Sequence, residues 1–281
     1  MSIITLAVAA AALFLGMPSE SPSQPDAAAS TRPAEPAAEV AAISVRRMTV
    51  DGRDYGWTVV VPRGVEPCGP ALLFLHGYGE CGDDGLRQLG VGLPPAMLRN
   101  PSDWPFVLIA PQKPVHQSEW EDHEKAILAM LDAAAEEGLY DPDRLVISGL
   151  SQGGHGTIWF AAHHPDRFQA AAPVCGYVDR RFSDEGVLIA ESGASPEDPG
   201  VVDAASRLGG MPLWLFHGGK DDVVPPEESR SLFAALGGKA AGEDASSGHV
   251  RFTEFPDANH NSWDAAYAEG ELAAWLLRHA R

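Results

Sequence analysis

Arg144-Leu145-Val146-Ile147-Ser148-Gly149-Leu150-Ser151-Gln152-Gly153-Gly154-His155-Gly156 is the stretch on which the fold turns. Arg144 to Ser148 is a short apolar run of strand type. From His155 through Ala162 the chain reads as a helix. Strand, Gly-x-Ser-x-Gly, helix is the context of a nucleophile elbow. A serine at the tip of so sharp a turn has strained backbone, and its neighbours approach closely enough that glycine is needed beside it. Its hydroxyl projects from the end of the sheet, and the helix behind it aims N–H groups at any developing anion. The competing reading, a glycine-rich turn with an incidental serine, does not explain the flanking strand and helix.

Outward from the elbow, strands and helices alternate. Ala71 to Leu75 and Phe106 to Ala110 are fully apolar runs, as buried parallel strands require. Helical spacing covers Glu121 to Glu137, and Gly138 stops it. Further strands are expected at 168–174, 213–216 and 250–255, and further helices at 201–208, 226–236 and 263–278. Ile43 to Val50 and Tyr55 to Val61, joined by Asp51-Gly52, read as a hairpin. The alternation implies an α/β protein with a mostly parallel central sheet and helices on both faces. Candidate chemistry falls after four of the strands, where ligands bind in such sheets.

The order Ser151, Asp221, His260 then matches that of the α/β-hydrolase fold, with the acid after a late strand and the histidine after the last. A serine hydroxyl is a poor nucleophile at neutral pH, so a base must take its proton during attack. Histidine suits that role because its pKa lies near working pH. The carboxylate fixes the tautomer. Asp221 and Asp222 are adjacent; Asp221 is favoured by the pattern His217-Gly218-x-x-Asp221, and side chains of neighbours in an extended loop point apart. Backbone N–H groups of Gln152 and of Tyr78, with Gly79 the alternative to Tyr78, are expected to form the oxyanion hole. His76 and His217 each end a strand before glycine and are expected to hold loop geometry. Trp120 and Trp263 are expected either to line an acyl pocket or simply to pack.

Composition narrows the function further. The chain has 281 residues, with 39 Asp and Glu against 20 Lys and Arg, for a net charge of −19. That field repels phosphate backbones, so nucleic acid is excluded as a partner. Cys68, Cys81 and Cys175 show no metal-binding spacing and allow at most one disulfide, with buried thiols the favoured reading for Cys81 and Cys175. No cofactor or metal is implied. Residues 3–15 form an apolar run of signal-peptide length, short for a membrane span. Residues 1–17 are therefore expected to be an export signal or an N-terminal anchor, the one route to a membrane. Residues 18–42, rich in Pro and Ala, read as a linker, and residues 43–281 as the catalytic domain. The linker carries −3, which leaves −16 on the rest.

These motifs resemble α/β-hydrolase-fold serine esterases, nearest to the phospholipase/carboxylesterase and predicted-peptidase group with its feruloyl-esterase-like and polyhydroxybutyrate-depolymerase-like members. The residues that carry the resemblance are Leu75-His76-Gly77-Tyr78-Gly79-Glu80-Cys81-Gly82-Asp83, Ser148 to Thr157, Pro173 to Gly176, Phe216 to Asp221 and His260-Asn261-Ser262-Trp263-Asp264. Gln152 stands where methionine is common in the group, and the acidic segment from Gly176 to Gly210, expected as an insertion over the strand ends, has no counterpart there. The resemblance implies a metal-independent hydrolase of small or polysaccharide-linked carboxylic esters, with a peptidase of the same machinery as the other enzymatic reading. A catalytically silent binding module is the reading from outside enzymes, and the presence of all three triad residues counts against it.

Overall fold

A computed structural model describes residues 4–5, 42–179, 194–238 and 249–281. Most of the expected N-terminal segment and nearly all of the linker lie outside the described residues, as do 180–193 and 239–248.

Among the described residues, nine strands form one sheet in the order β1-β2-β3-β5-β4-β6-β7-β8-β9. They are Ile4–Thr5, Ala42–Val50, Arg53–Val61, Ala71–Leu75, Val107–Pro111, Leu145–Leu150, Ala171–Val174, Leu213–Gly218 and Val250–Phe255, numbered β1 to β9. The hairpin β2–β3 turns at Asp51-Gly52, both with positive φ, as a tight two-residue hairpin turn demands. β3 then pairs antiparallel with β5. From β5 across to β9 every pairing is parallel. This is the α/β-hydrolase fold.

Seven α-helices among the described residues cover the sheet: α1 Leu93–Arg99, α2 Glu124–Glu136, α3 Gln152–His163, α4 Pro199–Leu208, α5 Glu227–Ala235, α6 Trp263–Tyr267 and α7 Leu272–His279. Alternation along β4 shows how the layers are made. Ala71, Leu73 and Leu75 enter the core shared with α2, α3, α4 and α5. Leu72 and Phe74 enter the opposite core with α1, α6 and α7. Every residue of β4, β5 and β6 is buried, which is why these strands read as unbroken apolar runs.

One expectation needs correction. The single closing helix over 263–278 is two helices, with Gly270 in the break; glycine costs about 1 kcal/mol in a helix interior. The described part of the segment expected over the strand ends includes α4, whose Ala204 and Leu208 pack into the core beside Ile158 and Phe233. It is the helix expected at 201–208, and residues 180–193 of the segment lie outside the described residues.

β4 lies between β5 and β6, so the loops leaving β4 and β6 diverge from neighbouring strand ends. A crevice opens at such a switch point. It receives Gly77 to Glu80 from β4 and Ser151 from β6.

Candidate active site

Ser151 has φ 54° and ψ −119°, a left-handed conformation that costs a non-glycine residue about 1–3 kcal/mol. The close approaches around it explain the glycines. A Cβ on Gly149 would lie 2.3 Å from the Gly153 carbonyl oxygen, and one on Gly153 would lie 1.9 Å from that of Leu75. The elbow is thus pressed onto the end of β4.

His260 comes from the loop after β9. Its Nε2 is 2.9 Å from Ser151 Oγ, and its Nδ1 is 2.8 Å from Asp221 Oδ2. Gly218, at the end of β8, lets that loop in: a Cβ there would meet the Asn259 carbonyl oxygen at 2.2 Å. Asp221, buried, faces the imidazole, while Asp222 is exposed. Asp221 Oδ1 accepts the N–H groups of Val223 and Val224, both at 2.9 Å. Burial works to raise the Asp221 carboxyl. Hydrogen bonds from His217 and His260 outweigh it and hold the group well below the usual carboxylate range. The arrangement can accept the hydroxyl proton of Ser151 on Nε2 and stabilise the resulting imidazolium through Nδ1–H.

A cavity of about 470 Å³ opens at Ser151 and His260, within the size range of small-molecule sites. Tyr78, Gly79 and Gln152 line it. Tyr78 opens a 3₁₀ turn and Gln152 opens α3, positions where backbone N–H groups point out of the helix end. Trp263 and Tyr177 also line the cavity, with Leu150, Val91 and Val223 supplying apolar wall. Trp120 does not belong to that wall. It is fully buried behind the β4 loop, where its Nε1 donates to the His76 carbonyl oxygen at 3.1 Å.

Several residues that support the site carry no motif. The Lys113 side chain is fully buried, and its ammonium donates to the carbonyls of Val115 at 3.0 Å, His116 at 3.4 Å, and Ser118. Burial pushes its pKa down. The Gln152 side chain donates to Ser118 and His116 carbonyls at 3.0 and 3.3 Å, so its amide ties the elbow helix to the same loop. His116 in turn donates from Nδ1 to the Tyr78 carbonyl at 2.7 Å. His76 donates from Nδ1 to the Gly77 carbonyl at 2.6 Å and accepts the Lys113 N–H on Nε2 at 2.9 Å. Burial pushes its imidazole down to about 3, which keeps it neutral and suited to that pairing. A lysine following a buried strand, in Pro111-Gln112-Lys113, is the one sequence signal that could have pointed here.

Two groups of potential metal ligands occur among the described residues: Cys175 with Asp221 and His260, and Glu119 with Glu121 and His155. In the first, Asp221 and His260 already bond each other. In the second, His155 Nε2 bonds Glu121 at 3.2 Å and Tyr177 Oη bonds Glu119 at 2.9 Å. All three cysteines are free, and burial raises the Cys175 thiol, which keeps it protonated.

The profile of the prolyl oligopeptidase family matches residues 117–281, more than half of the chain. The chain belongs to the prolyl oligopeptidase family. The matched span contains Ser151, Asp221 and His260; the loop after β4 precedes it. Among solved structures, this family member is similar to a thermostable esterase, 27% identical with a TM-score of 0.66, over 84% of this chain and 63% of that one. It is 29% identical to Esterase LipQ of Mycobacterium tuberculosis over 54% of its own length and 41% of that protein. It is 26% identical to an uncharacterized secreted protein of Arthroderma benhamiae, over 68% and 21%. The chain spans about a fifth to two fifths of the length of the curated relatives it matches. Among the described residues no helix is long and apolar enough to cross a membrane.

Proposed function

We propose that this chain is a serine hydrolase that cleaves carboxylic esters through an acyl-serine intermediate. The observation that carries the reading is the hydrogen-bonded chain Ser151–His260–Asp221 opening directly into a largely apolar cavity. Ser151 Oγ attacks the ester carbonyl while His260 Nε2 takes its proton. The N–H groups of Gln152 and Tyr78 hold the oxyanion, a contribution of about 100- to 1,000-fold per donor. His260 returns the proton to the departing alkoxide, and water, deprotonated by the same imidazole, releases the acid.

The cavity volume suits a short-chain or aromatic acyl group of the acetyl or feruloyl type. Similarity to two esterases supports the ester reading. Membership of a peptidase family supports a second reading, amide cleavage by the same triad. Residues 1–17 are proposed to direct export, with 18–42 as a linker to the catalytic domain, and the secreted relative supports that reading.

The test is hydrolysis of p-nitrophenyl esters from acetate to laurate, with methyl ferulate and a peptide p-nitroanilide series alongside. Wild type is expected to turn over the shorter esters, and Ser151→Ala to lose about four to six orders of magnitude in kcat. Faster amide than ester cleavage would favour the peptidase. No turnover of either by folded protein would leave a silent binding module.

A further inference from the structure

Asp221 Oδ2 is shared by two imidazoles. His260 Nδ1 lies 2.8 Å from it, and His217 Nε2 lies 3.2 Å from it. His217 is the last residue but one of β8, four residues before Asp221, and is fully buried. Its Nε2 also lies 3.0 Å from the Val224 carbonyl oxygen, and its Nδ1 lies 2.7 Å from Ser229 Oγ on α5. Nε2 faces two acceptors and no donor, so it must carry a hydrogen. With the two amides on Oδ1, this leaves Asp221 held from four sides.

We infer that His217 is a positioning residue for the serine hydrolase reaction: its Nε2–H fixes the Asp221 carboxylate and withdraws charge from the oxygen that His260 uses. The inference rests on the hydrolase reading above. It goes beyond loop geometry because it assigns His217 an effect on the base itself. A carboxylate oxygen already accepting a second hydrogen bond attracts the imidazolium of His260 less strongly. Without His217, Oδ2 carries more effective charge toward the His260 Nδ1–H. The same loss frees the carboxylate to rotate, so the imidazole is less well oriented toward Ser151. The other ionisable groups facing this cluster are Cys175, just after β7 beside Asp221, and Glu254 on β9 beside His217. Burial keeps the Cys175 thiol protonated. Glu254 is held ionised by Arg230, with its Oε1 and Oε2 bonded at 2.7 and 2.8 Å. Neither changes charge across the neutral range.

The experiment compares full-length wild type, His217→Phe, His217→Gln and Ser229→Ala on a p-nitrophenyl ester, with kcat, KM and the pH dependence of kcat/KM. Phenylalanine keeps the bulk and removes the donor; glutamine brings an amide N–H to a similar distance. His217→Phe is expected to lower kcat by about 10- to 100-fold, the range seen for outer partners that orient metal ligands. KM should change little, and the acid limb of kcat/KM should move to higher pH. His217→Gln should recover part of both effects. Ser229→Ala, which releases the far side of the ring, should shift the limb the same way by less, and it serves if His217→Phe does not fold. An acid limb unmoved in the folded variants, or a kcat loss that glutamine does not relieve, would overturn the inference. Wild-type turnover in Ser151→Ala would instead overturn the hydrolase reading beneath it.

Discussion

Trp120 donates its indole N–H to the backbone carbonyl of His76, at 3.1 Å, and both side chains are fully buried. The ring stands edge-on to the His76 imidazole, 4.9 Å between centroids. Against its other side lies α3, where a Cβ on Gly156 would come within 2.8 Å of the indole. Trp120 therefore wedges the end of β4 against the elbow helix. Trp120→Phe should cost about 2–4 kcal/mol of stability, from the buried carbonyl left without its donor and the cavity left by the smaller ring. It should leave the ester chain-length preference unchanged. A shifted optimum in the p-nitrophenyl series would put the indole in the path of the acyl group and contradict this placement.

Glu80 lies at the cavity edge with its Oε2 buried and without a hydrogen-bond partner. Burial raises its carboxyl above the usual range. The ionised form is therefore costlier in the folded protein than in the unfolded chain. That penalty is absent below the unfolded pKa and complete above the folded one. Glu80→Gln removes it, so the variant's Tm advantage over wild type should be larger at pH 8 than at pH 4. A variant less stable than wild type at pH 8 would show that the ionised carboxylate is favourable there.

His155 presents Nδ1 to the Tyr177 carbonyl at 3.0 Å and Nε2 to the Glu121 carboxylate at 3.2 Å. Both partners are acceptors, so the buried ring carries two protons. Burial opposes this, but the hydrogen bond and charge of Glu121 outweigh it and raise the pKa. A raised histidine pKa stabilises the fold fully below the unfolded value of about 6.5, and the contribution is lost as pH rises through the folded value. Thermal melts of wild type should fall between neutral and alkaline pH, and Glu121→Gln should flatten that slope. Parallel slopes in the two proteins would rule out this pair as their source.

Gly153→Ala tests the elbow as a steric object. A methyl group 1.9 Å from the Leu75 carbonyl oxygen cannot be accommodated by side-chain motion, because the obstacle is backbone. The variant should lose more than about 4 kcal/mol or fail to fold, as read by chemical denaturation. Near-wild-type stability would mean that β4 and α3 can separate.

Sequence reading reached the sheet because β4, β5 and β6 are buried on both faces, and such strands appear as apolar runs bounded by turns. It singled out Ser151, Asp221 and His260, which the fold brings within hydrogen-bond distance of one another, because chemistry and backbone sterics constrain both residue type and order there. It missed what depends on three-dimensional approach. Lys113 has no motif, and only the folded loop shows its ammonium surrounded by carbonyls. Trp120 could not be assigned from sequence between pocket and core, since an aromatic side chain suits either. The break between α6 and α7 was obscured because apolar spacing continues across Gly270, from Tyr267 to Leu272.

The central claim is that Ser151 is the nucleophile. Its most direct test is to treat folded wild type with a fluorophosphonate and map the adduct by peptide mass spectrometry. A single adduct on Ser151 is expected, with reactivity lost in His260→Ala. An adduct elsewhere, or none on a folded protein that still turns over esters, would contradict it.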